Sequence, residues 1–431
     1  MAGDWQTAPL SELCEQIVDC PHSTPLWTNS GVIVLRNQNI RNGRLDLSSP
    51  SFTDEAHFEQ RSRRAKLKAG DLVLTREAPM GEVCLIPEGL RCCLGQRMVM
   101  LRPDQKKCDS RFLLYSIQSD VVQHEIKVNE GTGSTVSNLR IPLLEALPIF
   151  FPSLTEQKTI AAVLGALDDK IELNRRMNAT LEAMARALFQ SWFVDFDPVR
   201  AKLDGRQPVG MDEATAALFP EHLEDSPLGH IPKGWAAGRL GDIGTNLRRG
   251  VQPSDIAPNT PYIALEHMPR RSIALGDWDG SPAVASGKSI FKKGEILFGK
   301  LRPYFHKVGV APFDGVCSTD ILVLAPKSPE WFGFLLGHAS SDELIQFTDL
   351  ASTGTKMPRT NWRDISSFRV VLPPKSIATT YTRNIQPMLD RIYANLHQSR
   401  TLATLRDTLL PKLLSGELSV AALESKLAAT Q

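Results

Sequence analysis

The sequence predicts an α+β protein in which one unit, a mixed domain followed by a long helix, occurs twice. Two observations predict this architecture. The hexapeptide at 169–174 returns 221 residues later at 390–395, each time inside a long helical pattern, and the segment at 68–74 returns at 292–298 with an offset of 224. We therefore expect two similar mixed α/β domains joined by two long antiparallel coiled-coil helices, with a pseudo-twofold internal repeat.

Composition narrows the class of protein. A chain of 431 residues, 42% hydrophobic and 23% charged, fits two or three soluble globular domains. No apolar run approaches the roughly 18 residues of a membrane span, and the first residues do not resemble a signal peptide. Seven cysteines without a CxxC spacing favour the reducing cytoplasm, and Cys92 and Cys93 are expected to be core thiols on a strand. The net charge of +1 neither favours nor excludes nucleic acid as a binding partner.

Two segments have the apolar spacing of long helices. From about Thr155 to Phe193, apolar residues recur in steps of four and three, the seam of a coiled coil. The first seam contains Ile160, Leu164, Leu167, Ile171, Asn174, Asn178, Leu181, Ala185, Leu188 and Trp192. The second contains Ile385, Met388, Ile392, Asn395, Leu402, Leu405 and Leu409, with Pro411 and Gly416 expected to close it. Each helix could pack on its own domain, but the shared length and the matching Asn174 and Asn395 favour packing on each other, with the two asparagines fixing the register.

The segments before the helices have the pattern of strands and turns. The expected strands are 32–35, 71–74 and 98–101 in the first copy and 262–265, 295–298 and 321–324 in the second, with helical pieces near 110–128 and 330–348. The expected bounds are a first mixed domain at 1–153, a first long helix at 154–195, a connector at 196–232, a second mixed domain at 233–374, a second long helix at 375–416 and a C-terminal tail at 417–431.

The sequence contains no recognisable catalytic motif. Gly287-Lys288-Ser289 resembles the end of a phosphate-binding loop, but the residue five positions earlier is Pro282 instead of glycine. Asp120, Glu125 and Lys127 lie in a helical pattern, where a solvated face explains them better than a nuclease centre. The sequence has no His-Glu-x-x-His and no Gly-x-Ser-x-Gly motif. We therefore expect a non-catalytic protein.

Several segments together resemble the specificity subunit of type I restriction-modification systems, over essentially the whole chain. The segments that carry the resemblance are 74–83, 94–99, 133–139, 193–199 and 405–418. The second copy departs from the family pattern at one point. The Glu156-Gln157 pair at the start of the first helix has no counterpart in Pro374-Lys375-Ser376-Ile377-Ala378, which opens the second.

The resemblance implies that the mixed domains are target recognition domains, each reading half of a split double-stranded DNA site. It implies that the long helices set the spacing and bind two modification subunits, which methylate adenine with S-adenosylmethionine, while this chain binds no cofactor. Restriction subunits with translocase and endonuclease activity would join afterwards. Two alternatives stay open, a coiled-coil scaffold without nucleic acid and a fused restriction or modification enzyme, although the second finds no room in the chain.

Candidate DNA contacts follow from residue type and spacing. Lys300, Arg302, Tyr304 and His306 alternate with apolar residues, which predicts one polar face of an extended segment. In the first domain, Arg76 occupies the corresponding place, and Arg36, Asn37 and Gln38 offer groups suited to base edges. The set is completed by Gln96 and Arg97 and by Ser134, Thr135, Thr355 and Lys356 in small-residue loops that could hold phosphate. Polar turns explain many of these residues equally well.

Overall fold

A computed structural model describes residues 5–128, 138–280, 286–352 and 357–419. The chain forms two compact units. The first unit combines Met1–Lys170 with Leu402–Gln431, and the second unit is Ile171–Thr401. Each of the two long helices therefore contributes one part to each unit.

The first unit is built from short strands and helices. Its strands are β1 (Gln6–Pro9), β2 (Cys14–Asp19), β3 (Val32–Leu35), β4 (Ile40–Arg41), β5 (Arg44–Leu45), β6 (Ser51–Thr53), β7 (Leu72–Thr75), β8 (Val83–Leu85), β9 (Cys92–Leu94), β10 (Met98–Pro103) and β11 (Pro148–Phe151). Its helices are α1 (Leu10–Leu13), α2 (Glu55–Arg61), α3 (Ser110–Gln118), α4 (Asp120–Val128), α5 (Ile141–Glu145) and the first part of α6 (Leu154–Phe193). The central antiparallel sheet has the order β2-β10-β7-β8, and a second sheet has the order β6-β3-β9. Every residue of β7 is buried, which explains its unbroken apolar run.

The second unit repeats this plan. Its strands are β12 (Leu223–Ser226), β13 (Gly229–Pro232), β14 (Ala236–Arg239), β15 (Gly244–Asn246), β16 (Gly250–Val251), β17 (Pro261–Ile263), β18 (Asp279–Gly280), β19 (Lys288–Phe291), β20 (Ile296–Gly299), β21 (Val308–Val310), β22 (Gly315–Cys317), β23 (Ile321–Pro326) and β24 (Arg369–Leu372). Its helices are α7 (Asp197–Leu203), α8 (Glu213–Ala217), α9 (Leu240–Ile243), α10 (Phe332–Ala339), α11 (Asp342–Leu350), α12 (Trp362–Ser367) and most of α13 (Lys375–Leu414).

The main sheets of the two units have corresponding strand orders. The sheet β2-β10-β7-β8 has its counterpart in β15-β23-β20-β21, and the pair β1–β11 in β14–β24. The parallel pair β3–β9 matches the parallel pair β17–β22. The second unit adds β16 and β19 at one edge of its sheet. The expected α+β fold with an internal repeat is confirmed, although the strand expected at 262–265 ends at Ile263 and a 3-10 turn at Leu265–His267 follows.

Both long helices have 40 residues, which corresponds to roughly 60 Å each. The expectation that Pro411 closes the second helix is wrong, because α13 continues to Leu414 before Gly416 takes a φ of +70°. In the first helix, the buried Gln157 side chain donates to the carbonyl oxygens of Lys107 and Pro152, both at 3.0 Å. Its counterpart in α13 is the buried Ala378, so the second copy replaces these hydrogen bonds by close packing.

The helices run antiparallel where they meet in the second unit. The Asn395 side chain donates to Oδ1 of Asn178 at 2.8 Å, and the Tyr381 hydroxyl donates to the Ala185 carbonyl oxygen at 3.0 Å. Higher numbers on one helix thus face lower numbers on the other. In the first unit, Arg406 pairs with Asp168 at 2.7 Å. Arg406 therefore faces inward, whereas Leu405, expected in the seam, is 45% exposed.

Both long helices also contribute side chains to the hydrophobic cores of the two units. Phe189 and Phe193 of α6 and Tyr381 of α13 share one buried aromatic cluster with Phe334 and Trp235 of the second domain. In the first unit, α6 and α13 contribute to the core through Ile160, Ala161, Leu164 and Leu413. The two packing modes weighed from the sequence are therefore both present within each unit. None of the helices in the described ranges combines the length and apolar character that crossing a lipid bilayer requires.

The paired thiols are core residues, as expected. Cys92 and Cys93 lie in β9 and are 3% and 2% exposed. Burial raises the pKa of Cys92 to about 12 and that of Cys93 to about 11. Both thiols are therefore protonated near neutral pH, as expected of buried core residues.

Candidate nucleic-acid interface

In the first unit, most of the predicted contact residues follow the ends of neighbouring strands. The parallel strands β3 and β9 end at Leu35 and Leu94, so the turns after them lie at the same edge of the sheet. β7 ends at Thr75, which pairs with Met98 at the start of β10. Three turns, at 36–39, 76–82 and 95–97, therefore meet at one edge, which we call the first-unit edge.

Arg36 and Gln38 are exposed at this edge. The Arg36 guanidinium lies 5.2 Å from the centre of the Trp27 ring, and Trp27 itself is 45% exposed. Asn37 is less available, because its side-chain amide donates to the carbonyl oxygen of Glu77. Arg36 and Gln38 can therefore contact a ligand, whereas Asn37 cannot present its whole amide group.

Arg76 does not occupy the DNA-facing position that the sequence predicted. Its side chain is buried, and its guanidinium donates three hydrogen bonds inside the unit. The acceptors are the carbonyl oxygen of Leu139 at 2.8 Å, Oδ1 of Asp19 at 2.7 Å and Oδ1 of Asn138 at 3.2 Å. Because a buried guanidinium needs its donors satisfied, these contacts make Arg76 a structural residue.

Gln96 and Arg97 are both exposed. Gln96 donates from Nε2 to the carbonyl oxygen of His22 at 2.6 Å, so one of its groups is engaged. Arg97 has a φ of +67° and a side chain that is 52% exposed, 3.2 Å from a carboxylate oxygen of Glu77. Arg97 is thus the more accessible cation. Ser134 and Thr135 lie outside the described residues.

Backbone hydrogen bonds show that Lys300 is the counterpart of Arg76. The Arg76 N–H donates to the carbonyl oxygen of Arg97 at 2.8 Å, and its own carbonyl accepts from Leu139 at 3.0 Å. Likewise, the Lys300 N–H donates to the carbonyl oxygen of Asp320 at 2.9 Å, and the Lys300 carbonyl accepts from the Thr360 N–H at 3.0 Å. The match found in the sequence at an offset of 224 is therefore a structural match.

The segment after Lys300 is not the extended strand that the alternation predicted. Arg302 and His306 both have a φ of +50°, and Pro303–Phe305 form a 3-10 turn between them. Proline lacks the N–H that a strand needs for pairing, and its fixed φ favours a turn. Period-two alternation therefore does not apply, and the four polar side chains do not share one face.

These side chains instead have different environments. His306 is buried, with Nε2 2.9 Å from the Ser340 carbonyl oxygen and Nδ1 3.2 Å from Asp342, and burial lowers its pKa. Tyr304 is 50% exposed, and its ring lies 4.7 Å from that of Phe305. Arg302 is half-buried, with its guanidinium 5.9 Å from the same ring. Arg302 and Tyr304 remain candidate contacts, whereas His306 supports the turn. Thr355 and Lys356 lie outside the described residues.

Lys300 lines a cleft of about 760 Å³ in the second unit, which we call the basic cleft. Its walls are formed by Asn246, Leu247, Arg248, Gly250, Val251, Gln252, Gly287, Lys288, Ser289, Lys300, Thr319, Ile321, Leu322, Val323, Arg359, Thr360, Asn361 and Trp362. Four of these lining residues have positively charged side chains, and none is acidic. The sequence singled out only Lys300, because Arg248, Lys288 and Arg359 come from distant segments that the sheet brings together.

Comparisons with known proteins identify the fold. Residues 2–183 match the family described as the Type I restriction modification DNA specificity domain. The type I restriction enzyme MjaIX specificity subunit of Methanocaldococcus jannaschii is 27% identical over 363 residues, which cover 81% of this chain and 78% of the relative. The HindI specificity subunit of Haemophilus influenzae is 24% identical over 402 residues, with 82% and 87% covered.

A solved structure shares the duplicated fold. The S subunit of a type I restriction-modification system from M. genitalium superimposes with a TM-score of 0.51 at 17% identity, over 95% of this chain and 96% of that one. The likeness to this structure shows a shared fold in which one mixed domain and one long helix occur twice. The chain is similar over about four fifths of its length to type I restriction enzyme specificity subunits, and residues 2–183 match their DNA specificity domain. These relatives are named specificity subunits of type I restriction enzymes.

Proposed function

We propose that this chain is the sequence-specific DNA-binding subunit of a type I restriction-modification complex. Its two mixed domains read the two halves of a split DNA target. The observation that carries this proposal is the repeated sheet with matching turns, since Lys300 and Arg76 occupy equivalent backbone positions in the two units. Two copies of one reading module suit a target made of two short sequences separated by an unspecified gap.

The two copies differ where contact with DNA is expected. Arg36, Gln38 and Arg97 are exposed at the first-unit edge, whereas Lys300, Arg302 and Tyr304 lie beside the basic cleft or in the turn that follows Lys300. Arginine and amide side chains can contact base edges, and lysine neutralises phosphates. Different contact side chains in the two units give the two half-sites different sequences.

The long helices recruit the modification subunits in this proposal. Met184 on α6 and Leu405 on α13 are matched at the repeat offset of 221, and they are 48% and 45% exposed. Exposed apolar side chains on a helix are typical anchors of a protein interface. Two equivalent anchors suit two copies of one partner. Each modification subunit would use S-adenosylmethionine to methylate adenine in the cytoplasm, and restriction subunits would join the assembled complex.

The deciding experiment is a map of methylated adenines in cells with and without this chain. A split motif that disappears on deletion and returns on complementation is the expected result. An unchanged map would contradict the proposed function. The purified chain incubated with DNA and S-adenosylmethionine should transfer no methyl group, whereas the reconstituted complex should. Methyl transfer by the chain alone would favour the fused-enzyme alternative.

The recruitment step has its own test. Met184→Lys and Leu405→Lys should each weaken co-purification of the modification subunits, and the double variant should abolish it. Ala179→Lys, at an exposed position of α6 that lies off the face of Met184, is the matched control. Normal co-purification with the double variant would exclude these two side chains as anchors.

A further inference from the structure

The basic cleft of the second unit has a counterpart in the first unit that is closed by its own side chains. Strand pairing identifies the matching positions. Asp19 lies opposite Val99 on β10, and continuing the register of β15 with β23 by two residues places Arg248 opposite Leu322. Arg76 corresponds to Lys300, as the backbone hydrogen bonds show, and Asn138 therefore corresponds to Arg359.

In the first unit, the three matching side chains satisfy one another. Arg76 reaches Asp19 at 2.7 Å and Asn138 at 3.2 Å, so the cation is neutralised and its donors are occupied. The Arg76 side chain is only 10% exposed, and that of Asp19 is 20% exposed. A phosphate could enter this place only by breaking an ion pair that is already formed.

In the second unit, the same three positions carry only cations. Asp19, Arg76 and Asn138 have a formal charge of zero, whereas Arg248, Lys300 and Arg359 have a formal charge of +3. One nearby acid, Asp320, lies 3.4 Å from Arg359 and leaves a net charge of +2. Lys288 adds a further cation, although its ammonium group donates to the carbonyl oxygen and hydroxyl of Ser286, both at 2.9 Å.

One unsatisfied buried hydroxyl and one exposed, unpaired cation among the described residues indicate that the cleft can receive a ligand. The Thr360 hydroxyl, on a residue that is 2% exposed, has no hydrogen-bond partner within the described ranges. Arg248 is exposed, and its side chain makes no hydrogen bond or ion pair to the described residues. A buried hydroxyl without a partner is unfavourable, and a ligand oxygen would satisfy it.

We propose, on the basis of the proposed DNA-reading function, that the basic cleft grips the phosphate backbone of the downstream half-site through Arg248, Lys300 and Arg359. The described residues at the matching positions of the first unit form no equivalent grip. Phosphate is the ligand chemistry that fits, because the cleft offers guanidinium, ammonium and hydroxyl donors and no carboxylate. The two halves of the target are therefore held unequally, with most of the salt-dependent affinity supplied by the second unit.

The test measures DNA binding by the complex of this chain with its modification subunits. The probe is a duplex containing the target obtained from the methylation map, titrated at several salt concentrations. Arg248→Ala combined with Arg359→Ala should lower the salt slope, the change in log affinity with log salt, by about two. Lys233→Ala, which removes an exposed lysine outside the cleft, is the matched control and should lower it by less than half a unit.

The first unit supplies the second comparison. Arg76→Ala should reduce thermal stability, because it leaves the half-buried Asp19 carboxylate without its partner, while the salt slope of the folded fraction should stay as in the wild type. An Arg248→Ala, Arg359→Ala variant with a normal unfolding midpoint and an unchanged slope would overturn the cleft assignment alone. A wild-type complex that shows no preference for the mapped duplex over a scrambled one would overturn the proposed function and this inference with it.

Discussion

Asn395 donates from its side-chain amide to Oδ1 of Asn178 at 2.8 Å, and both residues are buried between the long helices of the second unit. The residues that correspond to Asn395 and Asn178 at the repeat offset of 221 are Asn174 and Ser399. Asn174 indeed donates to the Ser399 hydroxyl at 3.2 Å and to Oε1 of Gln398 at 2.9 Å. One hydrogen bond and its repeat counterpart thus stabilise the antiparallel pair, which is how a duplicated sequence produces an internally symmetric contact.

Replacing Asn395 alone should destabilise the helix pair. Asn395→Leu leaves Oδ1 of Asn178 buried without a donor, which costs about 1–3 kcal/mol. Adding Asn178→Leu removes the stranded acceptor and should recover part of that loss. Urea unfolding followed by circular dichroism measures both effects. A single variant as stable as the wild type would show that the asparagine pair does not contribute to the free energy of unfolding.

Glu182 should make the stability of the second unit depend on pH. Its carboxylate accepts hydrogen bonds from the Ser272 hydroxyl at 2.8 Å and the Ile273 N–H at 2.9 Å, but burial dominates and raises its pKa. The folded state therefore binds the proton more tightly than the unfolded state. Stability is highest below the unfolded pKa of about 4.3 and is lost as the pH rises through the folded value.

Glu182→Gln should remove this dependence, since the amide is neutral and can still accept from the Ile273 N–H. The free energy of unfolding should then fall less between pH 4 and pH 7, which thermal unfolding at both pH values measures. Glu343→Gln, at an exposed position of α11, is the control and should retain the wild-type dependence. Identical pH profiles for Glu182→Gln and the wild type would contradict the raised pKa.

The turn at 302–306 separates a binding role from a structural one. Arg302→Ala should weaken recognition of the downstream half-site by about 1–3 kcal/mol if the guanidinium contacts a base, without lowering the unfolding midpoint. His306→Ala should instead lower the midpoint, because the imidazole is buried against Ser340 and Asp342. Methylation maps of the two variants provide the readout. Equal base preference in Arg302→Ala and the wild type would exclude Arg302 as a reader.

The sequence predicted the architecture well because periodicity and repetition are local signals. The helices at 154–193 and 375–414 and the strand at 32–35 follow from apolar spacing alone. The fate of individual polar side chains depends on distant partners. Arg76 is buried by Asp19 and Asn138, which lie 57 and 62 residues away in the chain, so residue type alone could not separate it from an exposed reader.

The same limit applies inside the helix pair. The sequence matched Asn174 with Asn395, yet neither side chain donates to the other side chain, because antiparallel packing offsets the partners by one turn. In the first unit, Arg406 faces inward and Leu405 is exposed, which is the reverse of what the apolar spacing predicts. The Asp168 carboxylate, which also accepts from the Tyr115 hydroxyl at 2.7 Å, draws Arg406 inward. Apolar spacing predicts most residues of the contact between the helices, and specific polar partners determine where that contact departs from the spacing.

The proposed spacer role of the helices predicts that helix length sets the gap between half-sites. Asp168 pairs with Arg406 in the first unit, and Asn178 pairs with Asn395 in the second, so the peptide bonds after Lys170 and after Ala403 each lie between two contact residues of the same helix. Inserting four residues at both points lengthens the pair and leaves these side-chain contacts in place. Four residues add roughly 6 Å, which is close to two base-pair steps of about 3.4 Å.

Both half-site sequences should then stay the same, while the unspecified gap lengthens by one or two base pairs. Four residues slightly exceed one helical turn, so the apolar seam remains nearly in phase. An insertion in α6 alone is the control, and it should disrupt pairing and abolish methylation. Methylation mapping of the double insertion decides the matter. An unchanged gap with full activity would exclude the spacer role, and an altered half-site sequence would mean that the helices take part in base reading.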